Sequence, residues 1–288
     1  MGEHVGSLWQ RATAGRPGAQ WQWWWHRQLK KPFFGRFMQP WRWPAGVPQD
    51  AWQRHAIRSS SHATLAAVLR ETEAQPARGI VVCAHPMGLA AKGFWLRNGH
   101  ADALLAAGFH VLAYDFNGFG ESPSTNFDYP ADALAAGHWA RARYPQLPVH
   151  ALAASFGAMN TLNALNETDF PYQRVVAEGV PPSLPLFWKA YPFAHAVLQA
   201  GRVVTPGVER RLRPEAAIAN LPPGVRMLLV HSRGDRWTPL WHGDRLAAAA
   251  PAGAQLERLI LQRADHTHGM RDEREAYWPA VERFLLSE

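Results

Sequence analysis

The stretch Val149-His150-Ala151-Leu152-Ala153-Ala154-Ser155-Phe156-Gly157 decides how the rest of the chain is read. Its mostly apolar first six residues predict a strand over Val149–Ala154. The pattern that follows predicts a helix from Phe156 to Asn166, with no room for a loop between the two. A serine on so tight a turn has its hydroxyl lifted above the sheet edge. The helix start behind it offers unpaired N–H groups to a developing negative charge. Small residues at Ala153 and Gly157 suit such a turn, because strand and helix pass close together there. The plainer reading of Ser155 is a residue that caps the following helix.

Outward from this turn, short apolar runs alternate with helical patterns. Strands are predicted at Ala63–Arg70, Gly79–Ala84, His110–Asp115, Arg174–Gly179, Arg226–His231 and Leu256–Leu261. Further helices are predicted at Asn98–Ala107, Pro130–Arg143, Pro239–Ala250 and Asp272–Leu286. Runs such as Ile80-Val81-Val82 and Met227-Leu228-Leu229-Val230 suit strands buried on both faces. The expected class is α/β: a doubly wound, mostly parallel sheet with helices on both faces. Residues 181–223 break the rhythm with several prolines, the pair Phe187-Trp188 and the basic cluster Arg210, Arg211 and Arg213. That is too long for an ordinary connection, and a cap inserted over the site is expected.

Of the net charge of +7, all resides in residues 1–58, which hold nine Lys/Arg against two Asp/Glu. The same segment holds eight of the fourteen tryptophans, Trp23, Trp24 and Trp25 among them, and five prolines that forbid a long helix. Residues 59–288 balance 21 charges of each sign, which excludes a broad basic face for nucleic acid. Two units are therefore expected: a basic, Trp-rich segment at 1–58 and an α/β domain at 59–288. Tryptophan mixed with Lys/Arg is the composition of membrane-interface segments, so peripheral membrane contact through residues 1–58 is one expectation. The other is that these tryptophans fold back over the sheet or edge the site. The single cysteine, Cys83, sits in the apolar run Gly79–Ala84 and is expected to be an inert buried thiol. No apolar stretch reaches the length of a membrane span, and the N-terminus lacks a secretory signal's apolar core. A cytoplasmic protein is expected.

Four loops at predicted strand ends carry a resemblance. Ala153-Ala154-Ser155-Phe156-Gly157 resembles Gly-x-Ser-x-Gly with alanine first. His85-Pro86-Met87-Gly88 resembles a His-Gly-x-Gly loop with proline in place of the first glycine. Asp115-Phe116-Asn117-Gly118-Phe119-Gly120-Glu121-Ser122 resembles Asp-x-Arg-Gly-x-Gly-x-Ser with Asn117 in the arginine position. Asp235, after the strand ending at His231, and His266, after the last strand, complete the order Ser, Asp, His. Together they resemble the α/β-hydrolase superfamily, of the serine esterase and lipase kind, over about three quarters of the chain.

The resemblance implies a Ser155, Asp235 and His266 triad, with the backbone N–H groups of Met87 and Phe156 holding an oxyanion. Pro86 has no N–H to offer. His85 and the 115–122 turn are read as structural. His268 competes with His266, and Asp244 and Glu178 compete with Asp235. The implied reaction is hydrolysis of a small-molecule carboxylic ester through an acyl-enzyme. Thioester, amide and acyl-transfer chemistry use the same residues. Phe187, Trp188 and Trp237, with Tyr191 and Phe193, are candidates for an apolar substrate wall or for cap core. No cofactor is implied, and the pair His266 and His268 around Asp265 lacks the further ligands of a metal site. The alternative from another class is a non-catalytic scaffold that docks through residues 1–58.

Overall fold

The computed structural model describes residues 24, 26–28, 30–31, 34–39, 41–189, 195–196, 199 and 213–287. Eight strands form one sheet: β1 (Gln53–Arg58), β2 (Thr64–Arg70), β3 (Gly79–Ala84), β4 (Phe109–Tyr114), β5 (Val149–Ala154), β6 (Arg174–Glu178), β7 (Arg226–Ser232) and β8 (Leu256–Leu261). Their order across the sheet is β1-β2-β4-β3-β5-β6-β7-β8. The β1–β2 and β2–β4 pairs are antiparallel and the remaining pairs parallel.

The central strands are buried on both faces because every residue of β3, β4 and β5 is apolar, small or covered. Alternation with period two then sorts each strand between two cores. Ile80, Val82 and Ala84 of β3 face one way, packing with Ala133, Ala136 and Ala140 of the helix Tyr129–Arg143 and Met159 and Leu162 of the helix Phe156–Asn163. Val81 and Cys83 face the other way, toward Phe94, Trp95 and Leu104, and toward Val281 and Phe284 of the C-terminal helix Arg274–Leu286. Cys83 is fully buried, and burial pushes its thiol up in pKa.

β3 is flanked by β4 on one side and β5 on the other. The chain therefore leaves β3 in one direction and later returns past it. The crevice at such a reversal lies at the carboxyl ends of the strands, where ligands bind in open α/β sheets. Met87 and Ser155 follow the two strands that bound it.

The structure adds short elements to the sequence reading, β1 and the helix Gly93–Arg97 among them. β1 lies inside the segment assigned to 1–58. It is an antiparallel edge strand in which Ile57 alone is buried, so its hydrophobic signal is one residue long. The helix Gly93–Arg97 is a single buried turn that propensity does not foretell. Between β6 and β7 the insertion begins with the helix Leu184–Phe187 and ends with Pro214–Ile218. Tyr191, Phe193, Arg210 and Arg211 lie outside the described residues, as do Trp9, Trp21, Trp23 and Trp25. Of the other early tryptophans, Trp52 is buried, Trp41 and Trp43 are half-buried against the two cores, and Trp24 is exposed. Among the described residues no helix is long and apolar enough to cross a membrane.

Candidate active site

Ser155 joins β5 to the helix Phe156–Asn163 with φ 46° and ψ −110°. This is a left-handed backbone that costs a non-glycine residue on the order of 1–3 kcal/mol. The Ser155 N–H donates to the Glu178 carbonyl at 2.8 Å, which ties the bend to β6. Its side chain makes no capping bond to the helix, so the plainer reading of this serine does not hold. Gly157 allows the bend. A Cβ there would lie 2.1 Å from the Ala84 carbonyl oxygen, so helix and β3 approach as closely as backbones can.

Instead of capping, the Ser155 hydroxyl reaches 2.8 Å from His266 Nε2, and His266 Nδ1 lies 2.7 Å from Asp235 Oδ2. Asp235 sits in the loop after β7, where its other oxygen accepts the N–H groups of Trp237 at 2.7 Å and Thr238 at 3.0 Å. The Thr238 hydroxyl also donates to Oδ2. Burial alone would push the Asp235 carboxyl up. The bonds from His266 and Thr238 outweigh that and hold it at about 2. The carboxylate is therefore charged at neutral pH, and an acceptor at Nδ1 leaves Nε2 free to take a proton from Ser155. Gly179, at φ +60°, passes directly beside the ring: a Cβ there would stand 3.1 Å from His266 Cε1.

The competing residues are placed elsewhere. His268 turns its Nδ1 to the carbonyl of His266 at 2.7 Å, with its ring against Phe94. Asp244, largely exposed on the helix Leu240–Ala249, pairs with Arg258 at 2.6 Å. Glu178 is buried and accepts the Gly269 N–H at 2.9 Å, so it holds the loop that carries His266 without meeting the imidazole. Burial raises Glu178 to about 7, against the lowering by Gly269, Tyr277 and His266.

Met87 and Phe156 line the same pocket as Ser155. Among the described residues neither of their N–H groups has a backbone acceptor. His85 is fully buried and accepts the Phe116 N–H at Nε2, so its Nδ1 donates to the Pro86 carbonyl at 2.8 Å. It thereby fastens the loop bearing Met87 to the 115–122 turn. That turn is internally braced: Asp115 accepts the backbone N–H groups of Lys92 and Glu121 and the Lys92 ammonium.

The pocket, a narrow cleft with a cavity volume of about 20 Å³, is walled by Phe34, Met87, Phe156, Met159, Pro181, Leu184, Phe187 and Trp188. Phe187 and Trp188 thus lie in the same pocket wall as Ser155. Trp237 does not line this pocket. It stacks on Phe187 at 5.8 Å, and Phe187 in turn lies 6.2 Å from the His266 ring. Phe34, Met159, Pro181 and Leu184 were not foreseen. Met159 has a signal, one helical turn beyond Ser155, but nothing local in sequence points to Phe34. Among the described residues there is no group of His, Cys, Asp and Glu able to hold a metal ion.

A family model described as serine aminopeptidase, S33, matches residues 75–220, just over half of the chain. Protein ABHD12B of Homo sapiens is 30% identical over 153 residues, covering 48% of this chain and 41% of that protein. The chain thus spans about two fifths of that relative's length. Among solved structures, esterase Pf2001 of Pyrococcus furiosus superposes with a TM-score of 0.66 at 18% identity, over 85% of this chain and 95% of that one. A thermostable carboxyl esterase from Bacillus coagulans gives 0.58 at 14% identity, over 82% and 98%. At such identities the two structures speak for the fold. The family model, matching just over half of the chain, places it in the S33 serine aminopeptidase family of the α/β-hydrolase superfamily.

Proposed function

We propose that this hydrolase cleaves a carboxylic ester with an apolar acyl group, through an acyl-enzyme on Ser155. The observation that carries the reading is the continuous relay of two hydrogen bonds, Asp235 to His266 and His266 to Ser155, ending on a strained bend. His266 takes the Ser155 proton at Nε2 as Oγ attacks the carbonyl carbon. Asp235 keeps the imidazole in the required tautomer and stabilises the imidazolium. The Met87 and Phe156 N–H groups face the tetrahedral oxyanion, each contributing on the order of 10²–10³ in rate. The imidazolium then protonates the leaving alcohol, and water, deprotonated by the same nitrogen, releases the acid and frees Ser155.

The pocket favours an ester over a peptide with a free N-terminus. An aminopeptidase must pair its substrate's ammonium with an acceptor, yet the described wall beyond Ser155 is apolar throughout. A docking scaffold without chemistry has no use for strain at Ser155 or for a carboxylate held charged behind a histidine. The test compares p-nitrophenyl esters with aminoacyl p-nitroanilides on the full chain and on Ser155→Ala. Ester turnover that vanishes in the variant, with the anilides inert, is the expected outcome. Undiminished ester turnover by Ser155→Ala would remove the proposal.

A further inference from the structure

One wall of the pocket comes from outside the strand–helix units. Phe34 belongs to the basic segment that precedes the sheet, yet it is 6% exposed and packs into the main core. Its ring meets Phe156 at 5.8 Å, Phe119 at 6.0 Å and Tyr129 at 6.1 Å, each edge to face. Phe156 is the residue next to Ser155, so Phe34 stands one ring away from the reacting centre.

Two anchors hold it there. Four residues earlier, Lys30 has no exposed surface; its ammonium donates to Asn117 Oδ1 and lies 4.8 Å over the Tyr129 ring. Asn117 in turn donates to Asp132, through its backbone N–H at 3.0 Å and its side-chain amide at 2.8 Å. Asn117 occupies the arginine position of the motif that the turn resembles, and here a lysine side chain arrives from the N-terminal segment, its pKa lowered by burial to about 7. On the other side of Phe34, Trp41 donates its indole N–H to the Ala90 carbonyl at 2.9 Å. The Lys92 ammonium sits 3.8 Å over the Trp41 ring. The segment is thus pinned on the 115–122 turn and on the loop following Met87. A buried ammonium leaves such a site only by breaking bonds that no apolar neighbour replaces.

We propose that Phe34 is a specificity-determining residue: the N-terminal segment, latched by Lys30 and Trp41, closes the acyl pocket and limits the substrate to short apolar acyl chains. This rests on the ester hydrolase reading given above. The pocket without the Phe34 ring has room for further methylene groups, and each one buried is worth about fourfold in kcat/KM. With the ring in place, that part of the described wall is filled.

The experiment is a panel of p-nitrophenyl esters from acetate to dodecanoate, run on the full chain, Phe34→Ala, Phe34→Leu, Phe34→Trp and Lys30→Ala. The readout is the ratio of kcat/KM for each long ester to that for acetate within one protein. That ratio is independent of how much of a variant is folded. The wild type is expected to fall off beyond short chains. Phe34→Ala should move the optimum to longer chains, raising the decanoate-to-acetate ratio at least about tenfold, with Phe34→Leu and Lys30→Ala following in the same direction. Phe34→Trp should lower it. Profiles of Phe34→Leu and Phe34→Trp that superimpose on an active wild type would overturn this inference alone. A wild type inert toward every ester would overturn the reading on which it rests.

Discussion

At the scale of single residues, the site depends on the charge state and aim of a few atoms. Asp235 accepts four hydrogen bonds, two of them on the oxygen that meets His266. Asparagine keeps the shape but presents an amide that favours the wrong imidazole tautomer. Asp235→Asn should therefore lower kcat by on the order of 10⁴ with little change in KM. Steady-state kinetics check this, and a loss under tenfold would remove Asp235 from the relay. Gly179 makes a second, subtler case. Alanine there must hold φ +60° and would push the His266 ring from 3.1 Å contact. Gly179→Ala should lower kcat by 10²-fold or so while the fold persists, since displacing a catalytic group by about 1 Å costs that much. Near-normal kcat in a folded variant would show that the ring position is not critical.

At the scale of elements, the bend between β5 and its helix is where packing and chemistry meet. Gly157→Ala would drive a Cβ into the Ala84 backbone at 2.1 Å, and neither strand nor helix has space to retreat. A loss of about 3 kcal/mol or more is expected, at the upper end for overpacking, visible as a lower denaturant midpoint and little soluble protein. A variant as stable as the parent would contradict the close approach. This bend was legible because two periodicities collide at one residue. The strand ends beside it were legible because central parallel strands are continuous apolar runs. The bounds of β3, β5 and β8 agree with the sequence reading, and most others differ by a residue. β1 was not legible, since an edge strand with one buried residue leaves no alternation to read. Phe34 and Lys30 were hidden for a different reason. Their burial depends on contacts with residues 117, 129 and 156, and nothing in the local pattern separates a docked basic segment from a solvated one.

At the scale of the whole molecule, buried titratable groups set the response to acid. Burial lowers His100 and His150 to about 3, and His231 and His242 to about 4. In the unfolded chain each takes a proton near 6.5, so below that pH the unfolded state binds protons the folded one refuses. Stability from these groups is complete above 6.5 and is lost as pH falls, through about 4 for His231 and His242 and about 3 for His100 and His150. Glu178 acts the other way: raised to about 7, its contribution is complete below 4.5 and fades as pH rises through 7. Four groups against one predict a Tm at pH 5 at least about 5 °C below that at pH 7.5, with Glu178→Gln steepening the fall. Thermal unfolding followed by tryptophan fluorescence reads both, and a Tm that rises toward pH 5 would contradict the sign. The most direct measurement of the central claim is rapid quench of the reaction with a p-nitrophenyl ester, with peptide mapping by mass spectrometry. A burst of nitrophenol matching the enzyme concentration, with the acyl mass on the peptide containing Ser155, is the predicted result. An acyl group found on another residue, or turnover with no covalent species under conditions where deacylation is slowed, would contradict the account.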